Sequence, residues 1–115
     1  MVFIIGGAAD SQQSYAARHY PDAKIIGNYH LKVQEELKAG LDPLKEAEKL
    51  LQDIPSDRQT VIWSCEIGCG IVPADPEDRA WRETSGRVNC YLAANAETVI
   101  RMVCGIGTVI KGGNA

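Results

Sequence analysis

Short apolar runs separated by polar segments predict the strands of a sheet. Five runs fit, at residues 2–5, 23–26, 60–65, 98–103 and 108–111. The third run is nearly continuous in its apolar character, which suits a strand covered on both faces. Residues 105–107 are short enough to turn the fourth strand straight back, so the last two strands are expected to form an antiparallel hairpin.

Amphipathic segments between these runs predict helices. They cover about residues 11–19 and 31–38, a segment that begins at residues 42–43, and a long segment that begins at residues 75–76. The third helix carries one apolar stripe formed by Leu44, Ala47, Leu50, Leu51 and Ile54. Strands that alternate with helices and end in a hairpin predict an α/β fold of three layers. Its sheet is expected to be open and mostly parallel, with helices on both faces.

Chain length and charge limit the possible functions. The 115 residues suffice for one domain, expected to span residues 1–111 with a disordered tail at 112–115. A formal net charge of −3 provides no global positive field, so nucleic acid is not an expected partner. No segment approaches the ~20 apolar residues that span a bilayer, and the N-terminus has no basic leader. We therefore expect a cytoplasmic protein with no membrane partner.

Four cysteines are expected to be thiols outside disulfides, as is usual in a cytoplasmic protein. They are Cys65, Cys69, Cys90 and Cys104, and two of them are expected to be buried on strands. Cys65 and Cys69 could in principle coordinate a metal ion, but the paired CxxC spacing and a nearby histidine are missing. No metal site is therefore predicted.

A glycine turn directly follows the first strand. It contains Gly6, Gly7 and Ala8, and it leads through Ser11 and Ser14 into the first helix. A phosphate-binding loop needs glycines that turn backbone amides inward, a lysine for the terminal phosphates and a hydroxyl for magnesium. No register supplies a lysine, although a shift by one residue makes Ser14 the hydroxyl. The turn is therefore either a plain connection or a weak anion site without the charge for phosphoryl transfer.

A second glycine-bearing loop follows the third strand. Glu66 falls at the carboxyl end of that strand, which is the edge where ligands bind in an open α/β sheet. Gly68 and Gly70 would let the backbone approach a ligand closely. This pattern indicates a functional loop, and the alternative is a tight turn with an exposed acid.

Three more polar residues are candidates. Arg87 and Asn89 come just after Gly86 in the long helix, where they either meet an anionic ligand or lie on a solvent face. His30 follows the turn after the second strand, on the ligand edge of a parallel sheet. A neutral imidazole can form a covalent phosphoramidate, so His30 is a candidate nucleophile.

Four segments form a pattern in this order: Gly6-Gly7-Ala8, Glu66-Ile67-Gly68-Cys69-Gly70-Ile71-Val72-Pro73, Gly86-Arg87-Val88-Asn89 and Gly105-Ile106-Gly107-Thr108-Val109-Ile110-Lys111. The pattern resembles the bifunctional adenosylcobinamide kinase/adenosylcobinamide-phosphate guanylyltransferase family. The order and spacing of the last three segments, within residues 60–111, carry most of the resemblance.

The resemblance implies a P-loop-like α/β fold and a role in cobalamin biosynthesis. That family phosphorylates the aminopropanol arm of a corrinoid and then transfers GMP from GTP through a histidine adduct. The implied ligands are a corrinoid and GTP or ATP with magnesium, and the implied assembly is a homo-oligomer, with trimers common in the family. Glu66 and the glycine loop would face the ligand, and Arg87 and Asn89 would lie close to it.

The chain also departs from the family pattern. Gln12 and Gln13 stand where the family has its lysine and its magnesium-binding serine, and most of the central region that bears the catalytic histidine is missing. Three readings stay open. The first is a shortened homologue that binds a nucleotide or corrinoid without P-loop kinase chemistry. The second is a non-catalytic oligomeric interaction or regulatory protein, and the third is a transferase with rearranged chemistry that uses His30 and Glu66.

Overall fold

The computed structural model describes residues 1–8, 11–67 and 75–112. Nine helices and strands lie within these ranges. In chain order they are β1 (Val2–Gly6), α1 (Gln12–His19), β2 (Lys24–Ile26), α2 (Tyr29–Lys38), α3 (Pro43–Gln52), β3 (Thr60–Cys65), α4 (Pro76–Asn95), β4 (Thr98–Val103) and β5 (Ile106–Lys111).

The strands form one five-stranded sheet in the order β2-β3-β1-β4-β5. The strands β2, β3, β1 and β4 pair in parallel with their neighbours, which requires long connections, and helices supply them along the chain. The last strand, β5, runs antiparallel to β4. The prediction of an open, mostly parallel α/β sheet that ends in an antiparallel hairpin is confirmed, and the arrangement is consistent with a P-loop-like fold.

The two faces of the sheet are covered unequally. On one face, α2, α3 and α4 pack on alternate strand residues in a core formed by Phe3, Tyr29, Val33, Ala47, Ile62, Val88, Leu92, Ala96 and Val99. The other face carries only α1 among the described helices, over a core formed by Val2, Ile4, Ala16, Val61, Trp63, Cys65, Ile100 and Met102. The alternation of the strand residues between the two cores is the period-two pattern of strands buried on both sides.

The turn of the β4–β5 hairpin differs from the prediction. The sequence suggested residues 105–107, but the turn is Cys104-Gly105, and Val103 pairs directly with Ile106. Both turn residues have positive φ, 50° and 79°, which is the geometry that matches the twist of a two-residue hairpin. Gly107 lies inside β5, where a Cβ would come within 2.5 Å of the Tyr15 ring. Its glycine is therefore explained by packing and not by the turn.

The helices begin in two different ways. Asp42 and Asp75 cap α3 and α4, because each carboxylate accepts a hydrogen bond from the backbone N–H two residues ahead. By contrast, α1 and α2 begin after Ser11 and Asn28, which are both left-handed (φ 69° and 52°) and make no side-chain cap. The first turns of α1 and α2 also contain no acidic residue. Their N-terminal amides are thus left without a carboxylate or hydroxyl cap from the chain's own cap residues.

Three of the four cysteines lie within the described residues. Cys65 is buried on β3, whereas Cys90 and Cys104 are exposed and none of the three forms a disulfide. A second buried strand cysteine is therefore not found in the described part of the chain, and Cys69 lies outside it. The predicted tail at 112–115 is described only at Gly112. No helix among the described residues combines the length and apolar character needed to cross a membrane.

Candidate functional site

A cavity opens at the carboxyl edge of the parallel strands, on the face that α1 covers. Its volume is about 370 Å³. The lining comes from the turn after β1, the start of α1, the residue before α2 and the end of β3: Ala8, Ser11, Gln12, Gln13, Ser14, Asn28, Trp63 and Cys65. Ligands of open α/β sheets bind at this edge. The structure brings Ala8, Ser11 and Ser14 together at this cavity, and their predicted role in binding an anion stays a prediction.

The starts of α1 and α2 converge on this cavity. Ser11 precedes α1 and Asn28 precedes α2, and both line the cavity. Backbone amides at a helix N-terminus carry partial positive charge, and here no acidic first-turn residue neutralises it. The cavity is therefore suited to an anionic group.

Gln12 stands where the sequence analysis expects the lysine of a phosphate-binding loop, and it lines the cavity. Its residue is only 3% exposed. Its Nε2 donates to the carbonyl oxygen of Ser64 at 2.9 Å and to that of Gly7 at 3.1 Å, and it lies 3.6 Å from the Sγ of Cys65. The side chain thus ties α1 to the turn after β1 and to the end of β3. It acts as a tether within the protein.

The double glycine of the turn has structural uses. A Cβ at Gly6 would lie 2.8 Å from the carbonyl oxygen of Met102 and 2.9 Å from its Cβ, so only glycine fits beside β4. The carbonyl of Gly7 is one of the two oxygens that hold Gln12. Ala8 is exposed at the cavity. Close packing is therefore sufficient to explain Gly6, and an anion-binding role of the turn stays a prediction.

His30 lies in the first turn of α2. This helix begins at Tyr29, two residues before the start predicted from sequence. His30 is almost fully buried, and its Nδ1 accepts a hydrogen bond from the backbone N–H of Cys65 at 3.3 Å. The pairing of β2 with β3 ends at Ile26 and Ile62. Beyond that point, the His30 side chain accepts the hydrogen bond of the Cys65 N–H that a neighbouring strand would otherwise accept. Burial lowers the pKa of His30. The ring is therefore a neutral imidazole whose Nδ1 lone pair is engaged and whose proton is on Nε2.

Trp81 holds the backbone and ring of His30 from the side of α4. The indole Nε1 donates to the carbonyl oxygen of His30 at 2.7 Å, and the two rings stack with centroids 6.4 Å apart. His30 does not line the 370 Å³ cavity. This geometry assigns His30 a structural contact, and its predicted chemical role stays a prediction.

Glu66 is exposed and directly follows β3. Its backbone N–H donates to the carbonyl oxygen of Gly6 at 2.7 Å, so it stands beside the glycine turn at the ligand edge. Its carboxylate is therefore available to a cation or to a donor group of a ligand. Gly68 and Gly70 lie outside the described residues.

Arg87 and Asn89 lie past the middle of α4, about 15 Å or more along the axis from the start of that helix. Arg87 pairs with Glu83 one turn earlier, and both side chains are 66% exposed. Asn89 is half-buried. Neither residue lines the cavity. A Cβ at Gly86 would meet no described atom within 4 Å, so close packing does not explain this glycine.

Five cavity residues were not among the predicted site residues: Gln12, Gln13, Asn28, Trp63 and Cys65. The turn at Asn28 was predictable from sequence, because asparagine tolerates the left-handed conformation that it adopts here before α2. Trp63 was not recognisable, because its place depends on Gly27. A Cβ at Gly27 would lie 2.6 Å from the indole ring, so this distant glycine makes room for the tryptophan.

Among the described residues, no group of three or more histidine, cysteine, aspartate or glutamate side chains could hold a metal ion. Magnesium, if it accompanies a nucleotide, would therefore depend on the phosphates and on a single carboxylate such as Glu66, an arrangement that this hard cation commonly accepts.

Comparisons with known proteins extend this description. The sequence profile of the cobinamide kinase / cobinamide phosphate guanyltransferase family, CobU, matches residues 23–110. Two proteins named bifunctional adenosylcobalamin biosynthesis protein CobU, from Salmonella typhimurium and Escherichia coli, are each 45% identical to the chain over 53 residues. That stretch is 46% of this chain and 29% of each relative, so the chain covers less than a third of their length. The profile match begins after the glycine turn and α1. Because it covers well over half of the chain, the chain belongs to the cobinamide kinase / cobinamide phosphate guanyltransferase family.

Proposed function

We propose that this protein acts in cobalamin biosynthesis as a nucleotide-binding or corrinoid-binding member of its family, in the cytoplasm, without P-loop kinase chemistry. The observation that carries the proposal is the convergence of two helix N-termini, at Ser11 and Asn28, on one cavity at the carboxyl edge of the sheet. This arrangement favours the phosphate of GTP or ATP. The two relatives are named as bifunctional proteins of adenosylcobalamin biosynthesis.

The absence of kinase chemistry rests on Gln12. Transfer of a phosphoryl group needs a cation that follows the charge as it builds on the transferred oxygens. Gln12 is neutral, and its Nε2 is committed to the carbonyl oxygens of Ser64 and Gly7. No lysine or arginine is among the described residues that line the cavity. The cavity can therefore bind a phosphate by its amides, while lacking the group that would accelerate its transfer.

Glu66 is the residue of this edge that we propose to act on the ligand. Its exposed carboxylate could coordinate magnesium on a bound nucleotide or accept a hydrogen bond from a corrinoid side chain. His30 is a weaker candidate, because attack on phosphorus through Nδ1 would first break its contact with Cys65. A transferase that uses His30 would therefore need a shift of α2 relative to β3.

The test is calorimetric titration of the purified protein with GTP, ATP and adenosylcobinamide, each with and without magnesium. The informative variant is Ser14→Asp, with Ser14→Asn as the uncharged control of the same size. The helix dipole favours a carboxylate in the first turn of α1, so Ser14→Asp should keep or raise the stability of the fold. It would stand beside a bound phosphate, and like charges at that distance weaken affinity by on the order of tenfold or more.

The expected result is saturable binding of GTP or ATP that Ser14→Asp weakens and Ser14→Asn leaves nearly unchanged. Binding of adenosylcobinamide alone, insensitive to Ser14→Asp, would move the ligand site away from the α1 terminus and contradict the phosphate assignment. An absence of heat with all three ligands from a folded protein would reject the proposal. It would favour the alternative, a non-catalytic oligomeric interaction or regulatory protein that retains the fold.

A further inference from the structure

The side chain of Trp63 is buried and carries a hydrogen-bond donor that the protein does not use. The residue lies on β3, is only 8% exposed and belongs to the core that α1 covers. A buried tryptophan usually donates its indole N–H to an acceptor. The Nε1–H of Trp63 has no acceptor among the residues that the structure describes. An unused buried donor of this kind indicates a partner from outside the chain.

The other tryptophan of the chain shows the usual arrangement. Trp81 donates its Nε1–H to the carbonyl oxygen of His30 at 2.7 Å, and it does not line the cavity at the carboxyl edge of the sheet. Trp63 does line that cavity. The indole without a protein acceptor is therefore the one that a ligand in the cavity would meet.

Gly27 determines where the indole N–H of Trp63 lies. A Cβ at Gly27 would come within 2.6 Å of the Nε1 and Cε2 atoms of the ring. The part of the indole that carries the N–H is thus packed against the residue directly before Asn28. Asn28 precedes α2 and lines the same cavity. The unused donor therefore lies beside the N-terminus of α2.

The first turn of α2 adds open backbone donors at the same place. The carbonyl oxygen of Asn28 accepts from the N–H groups of Leu31 and Lys32, at 2.9 and 3.4 Å. The N–H groups of Tyr29 and His30 come before these first helical hydrogen bonds and have no acceptor within the helix. Asn28 supplies no side-chain cap. An anion at this terminus would therefore meet donors from the backbone and from the indole.

The chemistry of the indole favours an anionic oxygen. An indole N–H donates a hydrogen bond and cannot accept one, and hydrogen bonds to ionised acceptors are stronger than those to neutral ones. No lysine or arginine is among the described residues that line the cavity. A neutral donor such as Trp63 can strengthen the binding of a phosphate there, without supplying the cation that phosphoryl transfer needs.

We propose that the Nε1–H of Trp63 donates to a phosphate oxygen of a nucleotide bound at the start of α2. This donor makes the cavity selective for ligands that carry a phosphate over ligands that lack one. Trp63 is thereby a binding residue, and Gly27 is the positioning residue that leaves room for its ring. The inference rests on the proposed function, because it requires a phosphate in this cavity.

The first test observes the indole N–H itself by nuclear magnetic resonance. Protein labelled with ¹⁵N at the indole nitrogens gives one signal for each of the two tryptophans, and Trp63→Phe identifies the signal of Trp63. GTP and ATP are titrated, each compared with its nucleoside, guanosine or adenosine. A hydrogen bond to an anionic oxygen deshields the donated proton, so the Trp63 signal is expected to move downfield with the nucleotide and to stay in place with the nucleoside. The Trp81 signal is the internal reference, because its N–H is already bound to His30.

The second test measures affinity by calorimetry. Trp63→Phe keeps an aromatic ring in the core but removes the donor, so it is expected to weaken nucleotide binding by on the order of tenfold. The matched control is Trp81→Phe, which removes an indole N–H outside the cavity and should leave the affinity nearly unchanged. Thermal unfolding checks that both variants are folded. If Trp63→Phe does not fold, Trp81→Phe assigns the two signals and the resonance experiment on the wild type decides.

Each outcome bears on the proposal. A downfield shift of the Trp63 signal that requires the phosphate supports it. A Trp63 signal that stays in place at saturation with a nucleotide, or an affinity that Trp63→Phe does not change, overturns it and leaves the proposed function standing. A shift that is equally large with the nucleoside also overturns it, because the indole would then contact the base or the sugar. If neither GTP nor ATP binds, this inference fails together with the proposed phosphate site, and the calorimetric titration identifies that case.

Discussion

The Nε2 of Gln12 donates to the carbonyl oxygen of Ser64 at 2.9 Å and joins the start of α1 to the end of β3. The two residues are 52 positions apart in the chain. In a P-loop kinase, a lysine near the start of the first helix reaches the phosphates. Here the side chain is buried and holds the strand edge together, so the position has a structural role in place of an electrostatic one.

Replacement of Gln12 by leucine should destabilise the protein. Gln12→Leu keeps the apolar volume but removes the donor for the carbonyl oxygens of Ser64 and Gly7. Loss of buried hydrogen bonds of this kind costs about 1–3 kcal/mol of unfolding free energy. Urea unfolding followed by circular dichroism measures the change. The neighbouring variant Gln13→Leu is the control, because Gln13 is exposed and its replacement should stay within about 0.5 kcal/mol.

Replacement of Gln12 by lysine should not create kinase activity. The ammonium group would be placed among the same carbonyl oxygens, and Gln13 still lacks the hydroxyl that holds magnesium. We expect no phosphorylation of adenosylcobinamide by ATP or GTP above the background of the wild type. Turnover assays with both nucleotides check this, and robust turnover by Gln12→Lys alone would refute our view of the loop.

Several elements were predictable from local sequence signals. The bounds of β3 agree with the predicted 60–65, and the starts of α3 and α4 follow the Asp-Pro signals at residues 42–43 and 75–76. The hairpin was also predictable, although its turn was placed one residue too late. These features depend on neighbours within a few residues, which is why the chain alone reveals them.

Other features depend on partners distant in sequence and could not be predicted. The burial of Gln12 requires β3, and the neutral state of His30 requires the backbone of Cys65 after β2 has ended. Three glycines are explained by residues that pack so closely against them that a Cβ would clash. Met102 packs against Gly6, Trp63 against Gly27 and Tyr15 against Gly107. From sequence alone, a glycine suggests a backbone conformation that other residues avoid. At these three positions glycine is needed because there is no room for a side chain.

Two glycine variants should therefore have opposite effects on stability. At Gly27, a Cβ would lie 2.6 Å from the Trp63 ring, so Gly27→Ala should cost about 1–3 kcal/mol and change the tryptophan fluorescence. At Gly86, in the middle of α4, a Cβ would meet nothing described within 4 Å, so Gly86→Ala should stabilise by about 0.5–1 kcal/mol. Thermal unfolding of both variants measures the difference. A destabilising Gly86→Ala would show that α4 contacts a partner at this position.

The buried carboxyl of Glu36 predicts one component of the pH dependence. Its Oε2 is 3.4 Å from Lys32 Nζ, while its Oε1 is buried with no hydrogen-bond partner among the described residues. Burial raises the pKa of Glu36, against the lowering effect of Lys32. A carboxyl whose pKa is higher in the folded state contributes stability that is present below its unfolded pKa and is lost as pH rises through the folded pKa.

Glu36→Gln should therefore remove this loss. In urea unfolding at a series of pH values from acid to neutral, the variant should gain stability relative to wild type as the pH rises above the unfolded pKa of glutamate, about 4.3. The control is Glu35→Gln at the adjacent exposed position, where no such gain is expected. A gain that is equal in both variants would mean that general charge reduction, and not burial of Glu36, is responsible.

His30 predicts the opposite component. Burial lowers its pKa, so its contribution to stability is full above the unfolded value of about 6.5 and is lost as pH falls toward the folded pKa. The wild type should therefore lose stability on acidification below neutral pH, and His30→Asn, which does not titrate, should lose less. An asparagine can still offer an oxygen to the Cys65 N–H, whereas His30→Leu cannot and should cost about 1–3 kcal/mol at neutral pH.

These two variants also separate structure from chemistry at His30. If the residue only holds the end of β3 and packs on Trp81, His30→Asn should bind nucleotide as the wild type does, with any activity unchanged. If the imidazole is a nucleophile, His30→Asn should abolish turnover while unfolding free energy stays close to that of wild type. Stability and activity that fall together in His30→Leu but not in His30→Asn would assign the residue to the scaffold, because only the hydrogen-bond acceptor is common to histidine and asparagine.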